Sequence, residues 1–127
     1  MIKRLSLVAV LIGALSGCAT VAAVTNANSS SRTRVAAVGA EYLVAQEGIK
    51  TYLVLPPCVA TTLPTCKSPA VVAVLQKSNM TVSNALDTAE TLVTTPGANP
   101  DTIEVAITVA LEAYKSLKTT KANFGVK

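Results

Sequence analysis

Three segments with helical apolar periodicity, separated by two proline-containing breaks, constrain the fold of this chain most strongly. In the first segment apolar side chains recur in alternating steps of three and four residues, the spacing of one face of an α-helix. These positions are Val35, Val38, Tyr42, Ala45, Ile49 and Tyr52. Pro56-Pro57 ends the pattern, because residues before proline avoid the α region. The pattern predicts a helix over about 33–55.

Two further helices are predicted by their start signals and by their apolar spacing. Ser68-Pro69 places a hydroxyl N-cap before a proline at the first helical position, and Asn99-Pro100 repeats the arrangement. The predicted helices cover about 69–94 and 100–122, separated by the break Thr95-Pro96-Gly97-Ala98. Their apolar faces comprise Val71, Val72, Leu75, Val82, Leu86, Ala89 and Val93, interrupted by Asn79, and then Ile103, Ile107, Ala110, Tyr114 and Leu117.

The segment Thr102–Val109 is ambiguous, because it also alternates with the period of a strand. Ile103, Val105, Ile107 and Val109 would share one strand face, and valine favours strands. The start signal at Asn99-Pro100 favours a helix, and residues 111–115 continue the pattern only as a helix. We therefore predict an all-α fold, a small antiparallel three-helix bundle with short connections.

The first eighteen residues have the layout of an export signal. Lys3 and Arg4 form a positive start, and the uncharged apolar run Leu5–Leu15 leads into Leu15-Ser16-Gly17-Cys18. The run is too short to cross a bilayer core, which favours a cleaved signal over a membrane span. The four residues that end at Cys18 resemble the lipobox of bacterial lipoproteins. An ordinary signal with a chance cysteine and an uncleaved helix are the alternatives.

The resemblance implies a lipid-anchored mature protein. In that class the cysteine is diacylated, cleavage falls just before it, and its new amino group is then acylated. The expected organisation is a signal peptide over 1–17, lipidated Cys18 with a flexible tether over 18–32, and a helical domain over 33–127. In enterobacterial lipoproteins, an Asp directly after the lipidated cysteine resembles an inner-membrane retention signal. This chain has Ala19 at that position, followed by Thr20. For a Gram-negative host we therefore expect the periplasmic face of the outer membrane.

Two of the three cysteines remain once Cys18 is assigned to the lipid, which leaves one pairing. Cys58 and Cys66 lie in a proline-dense segment and would be oxidised after export. We predict a structural disulfide that staples the connection between the first two helices. A redox pair or half of a metal site is the alternative. The spacing is not C-x-x-C, and no histidine or further cysteine would complete a zinc shell.

The composition disfavours an enzyme and a nucleic-acid-binding protein. The chain has no histidine, and its glycines form no phosphate-binding run. Without Lys3 and Arg4, the chain has nine basic and seven acidic residues, and no basic stripe is interleaved with aromatic residues. We expect no catalytic residues, no metal, and no cofactor apart from the covalent lipid on Cys18. A Ser–Lys dyad stays open, although nothing singles one out.

Two surfaces are predicted to bind a partner. One is the stiff loop between Pro56 and Pro69, which contains the apolar residues Val59 and Leu63. The alternative is that this loop only joins two helices. The other is the basic carboxyl-terminal region, which could contact anionic lipid headgroups or cell-wall polymer. Its lysines are Lys115, Lys118, Lys121 and Lys127. Their ordinary roles are solubility and complementing the helix dipole.

These observations predict a lipid-anchored cell-envelope protein with a non-enzymatic structural or partner-binding role. Its expected contacts are the membrane, through the anchor, and an envelope protein partner; self-association is also compatible with its small-residue helix faces. The architecture is similar to that of secretin pilotins. One alternative is a peptidoglycan tether, because the major outer-membrane lipoprotein of enteric bacteria also ends in lysine, although its coiled coil is uninterrupted. Another is a phage or prophage lipoprotein for superinfection exclusion or lysis.

Overall fold

The computed structural model describes residues 30–59 and 66–127, which form a three-helix bundle. Helix α1 spans Ser31–Leu53, α2 spans Pro69–Thr94 and α3 spans Pro100–Asn123. Each helix packs against both others in an antiparallel succession, which confirms the predicted fold class. The predictions for the signal, Cys18 and most of the tether fall outside the described residues, as does Leu63.

The helix boundaries follow from capping and proline. The Ser30 side chain accepts a hydrogen bond from the Thr33 amide, so α1 begins at Ser31, earlier than predicted. Asn99 caps α3 as expected, through the Asp101 amide at 2.8 Å. The predicted side-chain cap of α2 is wrong: Ser68 makes no cap hydrogen bond. Its amide donates to the Tyr52 hydroxyl at 2.9 Å, and Pro69 alone opens the helix.

The apolar faces meet in one core. All six predicted α1 positions are buried, and Ala37 joins them. The α2 face contributes Val71, Leu75, Val82, Ala85, Leu86 and Ala89, and the α3 face contributes Ala106, Ile107, Ala110, Tyr114 and Leu117. Val126, beyond α3, closes the end of this core. The ambiguous segment is helical, and its burial follows the helical period: Ile107 is buried, whereas Val105 and Val109 are exposed.

Three tyrosine hydroxyls connect the helices. Tyr42 of α1 donates to Asn79 Oδ1 of α2 at 2.9 Å, so the residue that interrupts the apolar face of α2 is a hydrogen-bond partner. Tyr114 of α3 donates to Glu41 Oε2 of α1 at 3.1 Å. The hydroxyl of Tyr52 accepts the Ser68 amide described above. These hydrogen bonds are directional, so they favour one alignment of the helices in addition to the packing of the apolar faces.

An ion pair also joins α1 to α3, at the end of the bundle where α1 begins. Arg34 Nη1 donates to both carboxylate oxygens of Glu104, at 2.8 and 2.6 Å. Arg34 is mostly buried and Glu104 is half-exposed, so the pair is better shielded from solvent than a typical surface salt bridge. The Arg32 guanidinium donates to the Val93 carbonyl at the end of α2. All three helices are therefore linked near residue 34.

The predicted disulfide is present and closes the connection between α1 and α2. Cys58 and Cys66 are bonded, with their Cα atoms 4.8 Å apart. Two main-chain hydrogen bonds lie beside the bridge: Cys58 N to Lys67 O at 3.1 Å and Lys67 N to Pro56 O at 2.9 Å. The Lys67 ammonium also donates to the Leu53 carbonyl at the end of α1, at 2.8 Å. The loop base is thus held covalently and by backbone pairing.

Two glycines of α1 are expected to respond oppositely to alanine. A Cβ at Gly39 would meet nothing within 4 Å, so Gly39→Ala should raise the free energy of unfolding by about 0.5–1 kcal/mol through helix propensity. A Cβ at Gly48 would collide with the main chain of Lys127 and with the Lys121 ammonium. Gly48→Ala should therefore lower the free energy of unfolding by about 1 kcal/mol, because overpacking outweighs the gain in propensity.

Urea titrations of the two glycine variants beside the wild type test this contrast. A stabilising Gly48→Ala substitution would show that the carboxyl-terminal residues do not pack on α1.

Candidate functional site

A groove between α1 and α2 forms a concave surface on the described bundle. Its volume is about 370 Å³, and the buried residues Tyr42 and Leu86 contribute to its floor. Small side chains on α1 keep the wall low, because they leave space that larger residues would fill. The remaining lining residues are Ala36, Gly39, Ala40, Leu43, Ser83, Asp87 and Glu90.

The groove combines apolar surface with negative charge. Leu43 is a largely exposed wall residue, and Met80, one helical step before Ser83 on the same face of α2, is exposed as well. Asp87 and Glu90 lie on the α2 wall, and within residues 30–59 and 66–127 neither forms a salt bridge. An apolar ligand with a cationic flank would suit this surface. Sequence analysis missed it, although the spacing of Ala36, Gly39 and Ala40 was a usable signal.

The connection between α1 and α2 presents aliphatic side chains to solvent. Val54 is 81% exposed and Val59 is 99% exposed, whereas Cys66 is buried. The bond consumes both thiols, so the pair is not a metal site in this state. Val59, one of the two predicted contact residues of this loop, is therefore available to a partner.

The three predicted partner-binding lysines of α3 have different surroundings in the structure. Lys115 pairs with Glu112 at 2.8 Å. The Lys118 ammonium lies 5.7 Å from the centroid of the Tyr114 ring. Lys121 turns towards the bundle and donates to the Ala45 carbonyl at 3.1 Å, and burial lowers its pKa.

The titratable groups of the described bundle form no metal centre. Residues 30–59 and 66–127 contain no cluster of three or more histidine, cysteine, aspartate or glutamate side chains placed to bind a metal ion. Among the same residues, no helix has both the length and the apolarity needed to cross a bilayer.

Ionisation of Tyr114 is expected only in strongly alkaline solution. Burial, followed by the hydrogen bond to Glu41 and its negative charge, raises the pKa of Tyr114 from 10.0 to about 12. Its contribution to stability is therefore complete below the unfolded-state pKa and is lost as pH rises through the folded-state value. The phenolate absorbance of wild type minus Tyr114→Phe should show this midpoint. A midpoint at the unfolded-state value would contradict both the burial of Tyr114 and its contact with Glu41.

No protein-family model, no curated protein and no solved structure matches this chain.

Proposed function

We propose that this chain is a lipid-anchored cell-envelope protein whose helical bundle has a non-enzymatic, partner-binding role. The observation that carries the proposal is the order of Lys3-Arg4, the apolar run and Leu15-Ser16-Gly17-Cys18. Acylation of Cys18 would attach the chain to a membrane, and the twelve residues before Ser31 would link the lipid to the bundle. For a Gram-negative host, the proposed location is the periplasmic face of the outer membrane.

The groove between α1 and α2 is the proposed partner site. Its apolar floor and low walls suit an amphipathic helix, a common mode of protein recognition. The carboxylates of Asp87 and Glu90, which form no salt bridge with the residues that the structure describes, favour lysine or arginine on the flank of that helix. The partner is therefore proposed to be an envelope protein with a basic amphipathic helix.

Lipidation is tested by growing cells with an alkyne analogue of palmitate. Wild-type protein should carry the label and sediment with membranes, whereas Cys18→Ser should do neither. The matched control is the double variant Cys58→Ala/Cys66→Ala, which lacks the other two cysteines and should keep the label. Label that persists on Cys18→Ser would refute the lipid anchor.

Partner binding is tested by placing a photo-crosslinking amino acid at Leu43 or Met80 in intact cells. Both positions should give the same discrete adduct, and Val109, exposed on α3, is the matched control position. Filling the groove with Gly39→Leu should abolish the adduct while the bundle remains helical. Adducts that form equally from Val109, or that survive Gly39→Leu, would refute the groove as the partner site.

A further inference from the structure

The fold segregates charge along the bundle. The contacts Tyr42–Asn79 and Glu41–Tyr114 mark its middle. Two arginines and six acidic side chains, including Glu41, lie on the side where α1 begins, whereas seven lysines and one acidic side chain lie on the side of the disulfide. We call the latter the basic end, and its lysines are Lys50, Lys67, Lys77, Lys115, Lys118, Lys121 and Lys127.

Most of this positive charge is not neutralised. Two of the lysines form ion pairs, and within the described residues no carboxylate pairs with the other five, Lys67, Lys77, Lys118, Lys121 and Lys127. Lys67 and Lys121 donate instead to the carbonyls of Leu53 and Ala45. A carbonyl satisfies an ammonium hydrogen bond without cancelling its charge, so these half-buried lysines still contribute to the positive potential.

Exposed aliphatic residues lie at the same end. Val54 follows α1 and Val59 follows Cys58, and both side chains are almost fully exposed to solvent. The disulfide and the Cys58–Lys67 backbone hydrogen bond restrict the segment that carries Val59. A restricted apolar side chain loses little conformational entropy when it enters the membrane interface.

We propose that the basic end binds anionic phospholipid bilayers directly. Lysines attract the headgroups, and Val54 and Val59 enter the interface, the combination that holds proteins on membrane surfaces. The amino-terminal segment joins the bundle at the opposite, acidic end, about 35 Å away for a helix of this length. The contact is therefore separate from any lipid on Cys18 and does not rest on the proposed function.

The test uses the unlipidated chain from residue 19 to residue 127, which contains every residue of the described core. Its partitioning is measured on vesicles of phosphatidylcholine with about one third phosphatidylglycerol, and on phosphatidylcholine alone. Binding should require the anionic lipid and should weaken steeply with added salt. Equal binding to both vesicles, or no binding to either, would overturn the proposal.

Matched charge variants locate the surface. Lys77→Gln/Lys118→Gln/Lys127→Gln should weaken binding to anionic vesicles by about a hundredfold, at about fivefold per lysine. The control shifts the net charge equally at the acidic end, through Asn84→Asp/Thr88→Glu/Thr102→Glu, all at exposed helix positions.

The control should bind within a few fold of wild type, because its added charges lie far from the bilayer. Val59→Asp should weaken binding by about tenfold without altering the circular dichroism spectrum, since its side chain has no packing to lose. Equal losses in the control and the lysine variant would show that net charge alone is responsible, and would overturn the assigned surface.

Discussion

Replacing Ile107 with alanine is expected to lower the free energy of unfolding by about 2–5 kcal/mol. Ile107 is 1% exposed and packs in the single core of the bundle. Truncation removes its transfer free energy and leaves a cavity that the neighbouring helices fill only in part. This is a large share of the stability of a small domain, and the core contains no tryptophan to compensate. Denaturant unfolding followed by circular dichroism measures the loss.

Val105→Ala is the matched control, because it truncates a valine two residues away that is 64% exposed. In a helix it should change stability by less than about 0.5 kcal/mol. In a strand, Val105 and Ile107 would share one face, and both substitutions would be costly. Comparable losses in the two variants would contradict the helical assignment of α3.

Removing the disulfide is expected to cost about 2–3 kcal/mol, by the entropy of closing so short a loop. The double variant Cys58→Ala/Cys66→Ala should remain helical but unfold at a lower urea concentration. The main-chain hydrogen bonds from Cys58 to Lys67 and from Lys67 to Pro56 can persist, because they need no sulfur atom. The free energy of unfolding should therefore fall mainly because the unfolded chain gains conformational entropy, and not because the folded bundle is disrupted.

Reduction provides an independent control for the same bond. Wild-type protein with a thiol reductant should match the double alanine variant, whereas the reductant should leave that variant unchanged. If the reduced wild type were as stable as the oxidised protein, the staple would contribute nothing and the loop base would be held by hydrogen bonds alone.

The sequence by itself determined the local elements. Apolar spacing located three helices, and prolines located their breaks, because helix periodicity and the restricted backbone of proline act over a few residues. The same reasoning placed Val35, Ile49 and Leu117 in the core and paired Cys58 with Cys66. The α1 boundaries shifted because the Ser30 cap and the Pro56-Pro57 segment act within one turn, where apolar spacing is uninformative.

Only the tertiary structure decided which polar groups of different helices bond to one another and which exposed residues lie side by side. Asn79, which interrupts the apolar face of α2, accepts a hydrogen bond from Tyr42. Arg34, which lies off the predicted apolar face of α1, pairs with Glu104. The groove and the basic end each combine residues from separate helices. Such juxtapositions depend on how the helices rotate and align, which is set by contacts between residues far apart in the chain. Spacing within one helix shows which side chains share a face, as at Ala36, Gly39 and Ala40, but not which residues of another helix they meet.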